Sequence, residues 1–353
     1  MLQVTGAASG RRVLWGFVFA AGLLSMWISN AATTLLLIPV ALAVVERYPD
    51  PRLAAPLVLG IAYAASFGGL GTPIGTPPNL IFRQQYEQAT GIEIGFVDWF
   101  VWGLPIVAIT LPLLALWLGR SLKNTPPAQL PTLGPISVAE RRVLIVFGVV
   151  ACLWVFRTDP WGGWKTWIGL PKASDASVAL LGALAMGLVS DGKGGKLLGW
   201  DAAERIPWGT LLLFGGGIAL ASAFATSGLS NFIAERLTLL QELPLPLMLF
   251  GLCLGVTLLS EIASNTATAA LLMPLLASAA VAANVDPLVF MLPAALAASL
   301  GFMLPVATAP NAIAYATGQV SNQRMLREGW LMDIVGVAAV SAVVYACLLY
   351  TSP

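Results

Sequence analysis

The chain has 353 residues, of which 58% are hydrophobic and only 10% charged, and its net charge is +1. A soluble domain carries about 25% charge, so this composition belongs in a bilayer, and the scattered Lys and Arg form no basic patch for nucleic acid. Histidine is absent and the three cysteines, Cys152, Cys253 and Cys347, lie apart in apolar runs, so there is no metal-ligand or disulfide spacing and no cofactor is expected.

After Arg11 and Arg12 the chain runs uncharged to Val45 without a cleavage site, so this stretch stays in the mature protein. A membrane-crossing helix needs about 20 residues. Trp99–Gly119, a shorter run at Val143–Phe156, Ala176–Ser190, Ile206–Ala234 and Ile334 to the C-terminus each fit one span. Val13–Val45, Leu53–Phe82, Leu243–Asn284 and Pro287–Gln323 are too long for one helix, and each is broken in its middle. The breaks read Ser29-Asn30-Ala31, GGLGTPIGTPPN from Gly68 to Asn79, Ser264-Asn265-Thr266, and LPVATAPN from Leu304 to Asn311. Prolines 73, 77, 78, 305 and 310 exclude continuous helix through two of them. Unwound backbone cannot face lipid, so these breaks are predicted to line a protein-walled or wet cavity.

The breaks recur in order. Ser25–Val40 (SMWISNAATTLLLIPV) aligns with Ser260–Leu275 (SEIASNTATAALLMPL) at an offset of 235 residues, and Gly68–Ile81 aligns with Leu300–Ile313 at an offset of 232. Pro73/Pro305, Thr76/Thr308, Pro78/Pro310 and Asn79/Asn311 coincide. Small, hydroxyl and proline residues taken singly are ordinary helix-packing devices. Repeated in the same order, they point to an inverted-repeat secondary transporter with its site at the repeat interface. Letting both Ser-Asn segments re-enter puts most of the basic residues, among them Arg11, Arg12, Arg47, Arg52, Arg120, Arg324 and Arg327, on one face, which the positive-inside bias makes cytoplasmic. The Trp161, Trp164 and Trp167 loop then serves as an outer interfacial anchor.

The predicted fold is thus an all-α polytopic membrane protein with two re-entrant helical hairpins and two unwound transmembrane helices. Residues 1–120 hold the first repeat's transport elements and 121–140 a cytoplasmic linker. Residues 141–242 hold scaffold-like helices ending in the amphipathic stretch Asn231–Glu242, an interfacial arm or a surface-lying helix at the outer boundary, and 243–353 the second repeat's transport elements.

These motifs, SNA at Ser29–Ala31, SNT at Ser264–Thr266, GTPPN at Gly75–Asn79 and ATAPN at Ala307–Asn311, resemble those of the divalent anion:sodium symporter family, across nearly all of Arg11–Tyr350. The resemblance implies a sodium-coupled symporter for small di- or tricarboxylates, succinate-like C4 anions foremost. It also implies a homodimer in the plasma membrane working by an elevator motion. Carried over by position, one sodium would be held by Ser25, Ser29, Asn30 and the Gly75 carbonyl, and another by Ser260, Ala263, Asn265 and the Ala307 carbonyl. Asn30, Thr76, Asn265, Thr266 and Thr308 would contact the anion. Two positions depart from the family pattern: Ala31 stands where Thr is usual, and Ala309 where a proline is usual.

The chemistry fits that resemblance. Broken helices expose carbonyls beside Ser, Thr and Asn oxygens, which suit a hard cation, and helix N-termini supply positive potential where no Lys or Arg lies in any motif. An intramembrane hydrolase is disfavoured, because a Ser nucleophile has no histidine base and no HExxH motif is present. A proton-coupled or inorganic-anion transporter of the same architecture is the alternative. Glu261, the one acid beside a tip, is read as a structural partner or as facing a wet entrance, with proton carriage as its rival role. The first repeat has only 28 residues before Ser29, so three or four further spans are expected ahead of residue 1.

Overall fold

The computed structural model describes residues 9–47, 50–122, 135–159, 161–204 and 243–351, with scattered positions between 209 and 228. Most of the expected span 206–234, the arm at 231–242 and much of the linker at 121–140 lie outside the described residues. Helices and turns make up the described chain, apart from one isolated antiparallel bridge between Ser190 and Lys196. In chain order the helices are α1 (Gly10–Ser25), α2 (Asn30–Arg47), α3 (Ala54–Gly68), α4 (Pro77–Thr90), α5 (Phe96–Leu118), α6 (Val138–Val155), α7 (Gly163–Trp167), α8 (Asp175–Leu188), α9 (Trp200–Glu204), α10 (Leu245–Ile262), α11 (Asn265–Ala282), α12 (Leu288–Ala297), α13 (Ala309–Ala316) and α14 (Asn322–Thr351). Among the described residues six helical stretches are long and apolar enough to cross a membrane: Asn30–Arg47, Pro51–Gly71, Phe96–Leu122, Leu245–Ile262, Asn265–Ala282 and Asn322–Leu349.

Every predicted break interrupts helix. The chain stops at Ser25 and restarts at Asn30, stops at Gly68 and restarts at Pro77, stops at Ile262 and restarts at Asn265, and stops at Ala297 and restarts at Ala309. Local chemistry accounts for the restarts. Ser264 and Thr308 hydroxyls cap α11 and α13 by accepting from Ala267 N–H and Asn311 N–H. Proline stands in the first turn of both α4 (Pro77) and α13 (Pro310), where its missing N–H costs nothing. The apolar run Ala176–Ser190 is a short helix, the 14-residue α8. The C-terminal span begins earlier than its uncharged run, because α14 starts at Asn322 and is 30 residues long.

The described chain divides into two compact units. The first comprises residues 1–94, 99–130 and 213–353. Its centre is α3, every residue of which is buried. Small residues let neighbours approach it closely, as lipid-embedded packing requires. A Cβ on Gly68 would sit 2.2 Å from the Gly22 carbonyl oxygen of α1. Packing in this unit is reciprocal: α1 lies on α3 as α10 lies on α12, while α2 packs on α13 and α11 packs on α4. The helix after each tip therefore rests on the helix after the other pair's break. Arg120 joins the end of the α5 region to α14 through a two-pronged pairing with Glu328, at 2.8 and 2.7 Å, and lies 3.6 Å over the Trp117 ring.

The second unit, residues 95–98 and 131–212, packs α6 against α8. Ser137 and Glu140 form a reciprocal capping box at the start of α6, and the Ser137 amide and hydroxyl beside Glu140 hold its carboxyl below the ordinary value. The buried Arg157 guanidinium pairs with Asp175 at 2.7 Å and also donates to the Ala173 carbonyl.

Candidate functional site

The first break is held from within by one carboxamide. Asn79 Nδ2 donates to the Gly69 carbonyl at 2.9 Å and to the Thr72 carbonyl at 2.8 Å, so a side chain in the first turn of α4 satisfies two carbonyls that the unwinding frees. Thr72 in turn donates its hydroxyl to the Met26 carbonyl, tying the break to the end of α1.

Asn30 and Ser25 from the first tip meet this break. Ser25 Oγ lies 2.8 Å from the Asn30 amide, which is only 6% exposed. With its oxygen inward, Asn30 joins Ser25 Oγ, the Gly75 carbonyl and the Ala65 carbonyl in a cluster of oxygens. With its nitrogen inward it donates to the same three atoms, at 2.8, 3.2 and 3.1 Å. The nitrogen-inward orientation is the one that satisfies the converging oxygens. Side chains are excluded from two faces of the cluster: a Cβ on Gly69 would meet Asn30 Oδ1 at 2.4 Å, and one on Gly75 would meet the Gly69 carbonyl at 2.5 Å and the Ser25 carbonyl at 2.9 Å.

The second break repeats the backbone solution. Asn311 Nδ2 donates to the carbonyls of Gly301 and Leu304, both at 2.9 Å, the same positions ten and seven residues upstream. Asn79 Oδ1 and Asn311 Oδ1 are both buried and without a hydrogen bond in the described structure. Side chains around the two breaks differ. Thr308 Oγ1 accepts from Asn311 N–H at 3.3 Å, whereas Thr76 Oγ1 is buried and unpartnered. Ser260 donates to the Ala298 carbonyl at 2.6 Å. Asn265 is half-buried and accepts from the Thr266 amide at 2.9 Å, and Thr266 Oγ1 lies 3.5 Å from the same oxygen.

Of the first predicted sodium set, Ser25, Asn30 and the Gly75 carbonyl come together, while Ser29 is exposed and caps α2 by accepting from Ala32 N–H at 3.3 Å. In the second set, Ala307 is buried beside Gly301, Ser260 faces Ala298, half-buried Ala263 ends α10, and Asn265 is turned on its own neighbour. No Lys or Arg lies within 68–79 or 300–311, so the helix N-termini at Asn30, Pro77, Asn265 and Ala309 are the positive ends these segments present. Sequence reasoning matched Asn79 with Asn311 but gave neither a role, although a carboxamide after two prolines beside an unwound loop is a signal for one. The Ala65 carbonyl carried no signal at all.

The chain matches the family model described as citrate transporter over residues 2–283 and 244–352. It is 36% identical over 370 residues to the sodium-dependent dicarboxylate transporter SdcS of Staphylococcus saprophyticus, an alignment covering 98% of this chain and 70% of that relative. It is 35% identical over 363 residues to the protein of the same name from Staphylococcus aureus strain USA300, covering 96% of this chain and 69% of the relative.

Proposed function

The chain belongs to the citrate transporter family, of the divalent anion:sodium symporter type, and from that membership we propose that it carries small dicarboxylate anions across the plasma membrane together with sodium. It is a multi-pass membrane transporter and not an enzyme. The observation that carries the sodium reading is the convergence of Ser25 Oγ and the Gly75 and Ala65 carbonyls on the buried Asn30 carboxamide, neutral oxygens of the kind that suit a hard monovalent cation, gathered where the helix is broken. Ser25, Asn30 and Gly75 hold the first ion, with Ser29 joining them when the tip tightens. Ser260, Ala263, Asn265 and the Ala307 carbonyl hold the second. The anion's carboxylates are taken by Asn30, Thr76, Asn265, Thr266 and Thr308.

An anion bound among helix N-termini without fixed cationic side chains depends on sodium for its countercharge, and this makes coupling obligatory. The reciprocal packing of α2 on α13 and α11 on α4 supports the inverted-repeat reading. On that reading the re-entrant tips are proposed to move as one body in a homodimeric elevator. A succinate-like C4 anion is the proposed preferred substrate.

Uptake of labelled succinate into proteoliposomes tests this reading. An inward sodium gradient at fixed pH is expected to drive accumulation. Equal uptake with choline replacing sodium would sink the proposal, and a competition panel of di- and tricarboxylates ranks the substrates.

A further inference from the structure

Two buried carboxyl groups stand outside the sodium and substrate sets. Glu261 lies in the last turn of α10 and Asp333 midway along α14, each 3% exposed. Both turn toward the segment between α12 and α13. Met303 N–H donates to Glu261 Oε1 at 2.8 Å, Leu304 N–H to Glu261 Oε2 at 2.9 Å, and Phe302 N–H to Asp333 Oδ1 at 3.1 Å. Three consecutive amides, freed by the unwinding, are thus taken by two carboxyl groups from two different helices. The Tyr63 hydroxyl of α3 donates to the Phe302 carbonyl at 2.7 Å. Gly329 lets α14 come close enough for Asp333 to reach, since a Cβ there would lie 2.2 Å from the Phe302 oxygen.

The first repeat solves the same problem without a carboxyl group. At the two offsets, Met26 stands where Glu261 stands, and Gly71 and Thr72 stand where Met303 and Leu304 stand. There the Thr72 hydroxyl donates to the Met26 carbonyl, and the Met26 side chain lies over Gly71, 2.9 Å from where a Cβ would be. The link from tip arm to break is a hydroxyl-to-carbonyl bond in the first repeat. In the second it is made by carboxyl oxygens accepting from backbone amides. A residue needed only to fill space would not engage both of its oxygens with adjacent amides. A free proton carrier would not have both of them occupied by backbone donors.

We propose that Glu261 and Asp333 are positioning residues for transport: they clamp residues 302–304 and thereby set the second repeat's ligand atoms. The route is short. The Leu304 carbonyl accepts from Ala307 N–H at 3.2 Å and from Asn311 Nδ2 at 2.9 Å, and a Cβ on Gly301 would lie 3.3 Å from Ala307 Cβ, 3.7 Å from Glu261 Oε1 and 3.8 Å from Thr308 Cγ2. Freeing the 303 and 304 amides releases the Leu304 peptide, and with it the Ala307 carbonyl and the Thr308 hydroxyl. This inference rests on the reading that Ala307 and Thr308 serve sodium and substrate.

Backbone hydrogen exchange over 302–304 and the sodium dependence of uptake test it on the reconstituted protein. Glu261→Gln keeps one acceptor and turns an NH₂ toward the other amide, so exchange is expected to quicken, and half-saturating sodium to rise, each roughly tenfold or more. The maximal rate should fall less than the affinity. Asp333→Ala should follow Glu261→Gln. Asp333→Asn keeps an acceptor for Phe302 N–H, so it should rescue both readouts relative to Asp333→Ala. Unchanged exchange in both Glu261→Gln and Asp333→Ala overturns the clamp, and quickened exchange with unchanged sodium dependence overturns its positioning role. If Asp333→Ala fails to fold, Glu261→Gln and Asp333→Asn, each read against wild type, still decide: unchanged exchange in Glu261→Gln then overturns the clamp. Wild-type uptake that ignores sodium would defeat the functional reading instead, and half-saturating substrate would then replace sodium as the second readout.

Discussion

Replacing Asn311 tests whether one carboxamide holds each break. Asn311 Nδ2 makes two buried hydrogen bonds, to Gly301 and Leu304, and Asn79 makes the matching pair in the first repeat. Hydrogen bonds inside membrane proteins are worth about 0.6 kcal/mol on average and up to about 1.7, so losing two predicts a cost of about 1 to 3 kcal/mol for Asn311→Ala. Asn311→Asp is the sharper probe. It has nearly the same shape, yet ionised it removes both donors and sets acceptors against two carbonyl oxygens, while protonated it keeps one O–H donor for the two, and an unsatisfied buried group costs about 1 to 3 kcal/mol more. Stability should therefore fall in the order Asn, Ala, Asp at 311 and again at 79, measured by thermal or denaturant unfolding in detergent. An Asp variant as stable as wild type at either position would refute the reasoning, because the nitrogen would then not be the atom facing the carbonyls.

Gly68→Ala should destabilise the first unit by about 1 to 3 kcal/mol or abolish expression, since its Cβ would collide with the Gly22 main chain, which cannot swing aside. A variant melting with wild type would show that α1 does not approach α3 this closely. At the turn before α3, the Arg52 guanidinium and amide beside Asp50 hold its carboxyl below the ordinary 3.8. A lowered folded-state value contributes stability above the unfolded value and loses it as pH falls through the folded one, so the gap between wild type and Asp50→Asn in unfolding measurements should narrow as pH falls below the ordinary 3.8. A gap that stays constant on acidification below that value would contradict the pairing.

The helix breaks were legible because their causes are local. Proline removes an amide donor wherever it stands, and a Ser or Thr followed by a restarting apolar run marks a cap, so Pro77, Pro310, Ser264 and Thr308 announced their positions. What satisfies the freed backbone was partly legible. Asn79 and Asn311 act across ten residues and recur in the repeat, but the acceptors for Phe302, Met303 and Leu304 come from 31 residues downstream and from 42 and 43 residues upstream. Tyr63 reaches Phe302 across 239 residues. No periodicity encodes such meetings, because they depend on how helices cross rather than on how one helix is patterned. The tip residues show the same limit. Ser29 and Asn30 are adjacent in sequence, yet one is exposed and capping while the other is buried among oxygens, because a helix start turns successive side chains in different directions.

The two repeats keep one backbone solution and fill it with different side chains, and the differences all run in one direction. In the first, Asn30 is already buried against Ser25 and Gly75, Thr76 keeps a free hydroxyl, and the link to the break is hydroxyl to carbonyl. In the second, Asn265 is half-buried and turned on Thr266, Thr308 is spent on capping, and the link is carboxyl to amide. A packing motif duplicated for packing alone would have no reason to differ between its copies in polarity while conserving its carbonyl-holding asparagines. A binding site assembled from both copies would. On the proposed reading, two walls that differ in this way offer different partners to the two ends of one bound anion and to its accompanying cations, while the shared asparagines hold the backbone of each break.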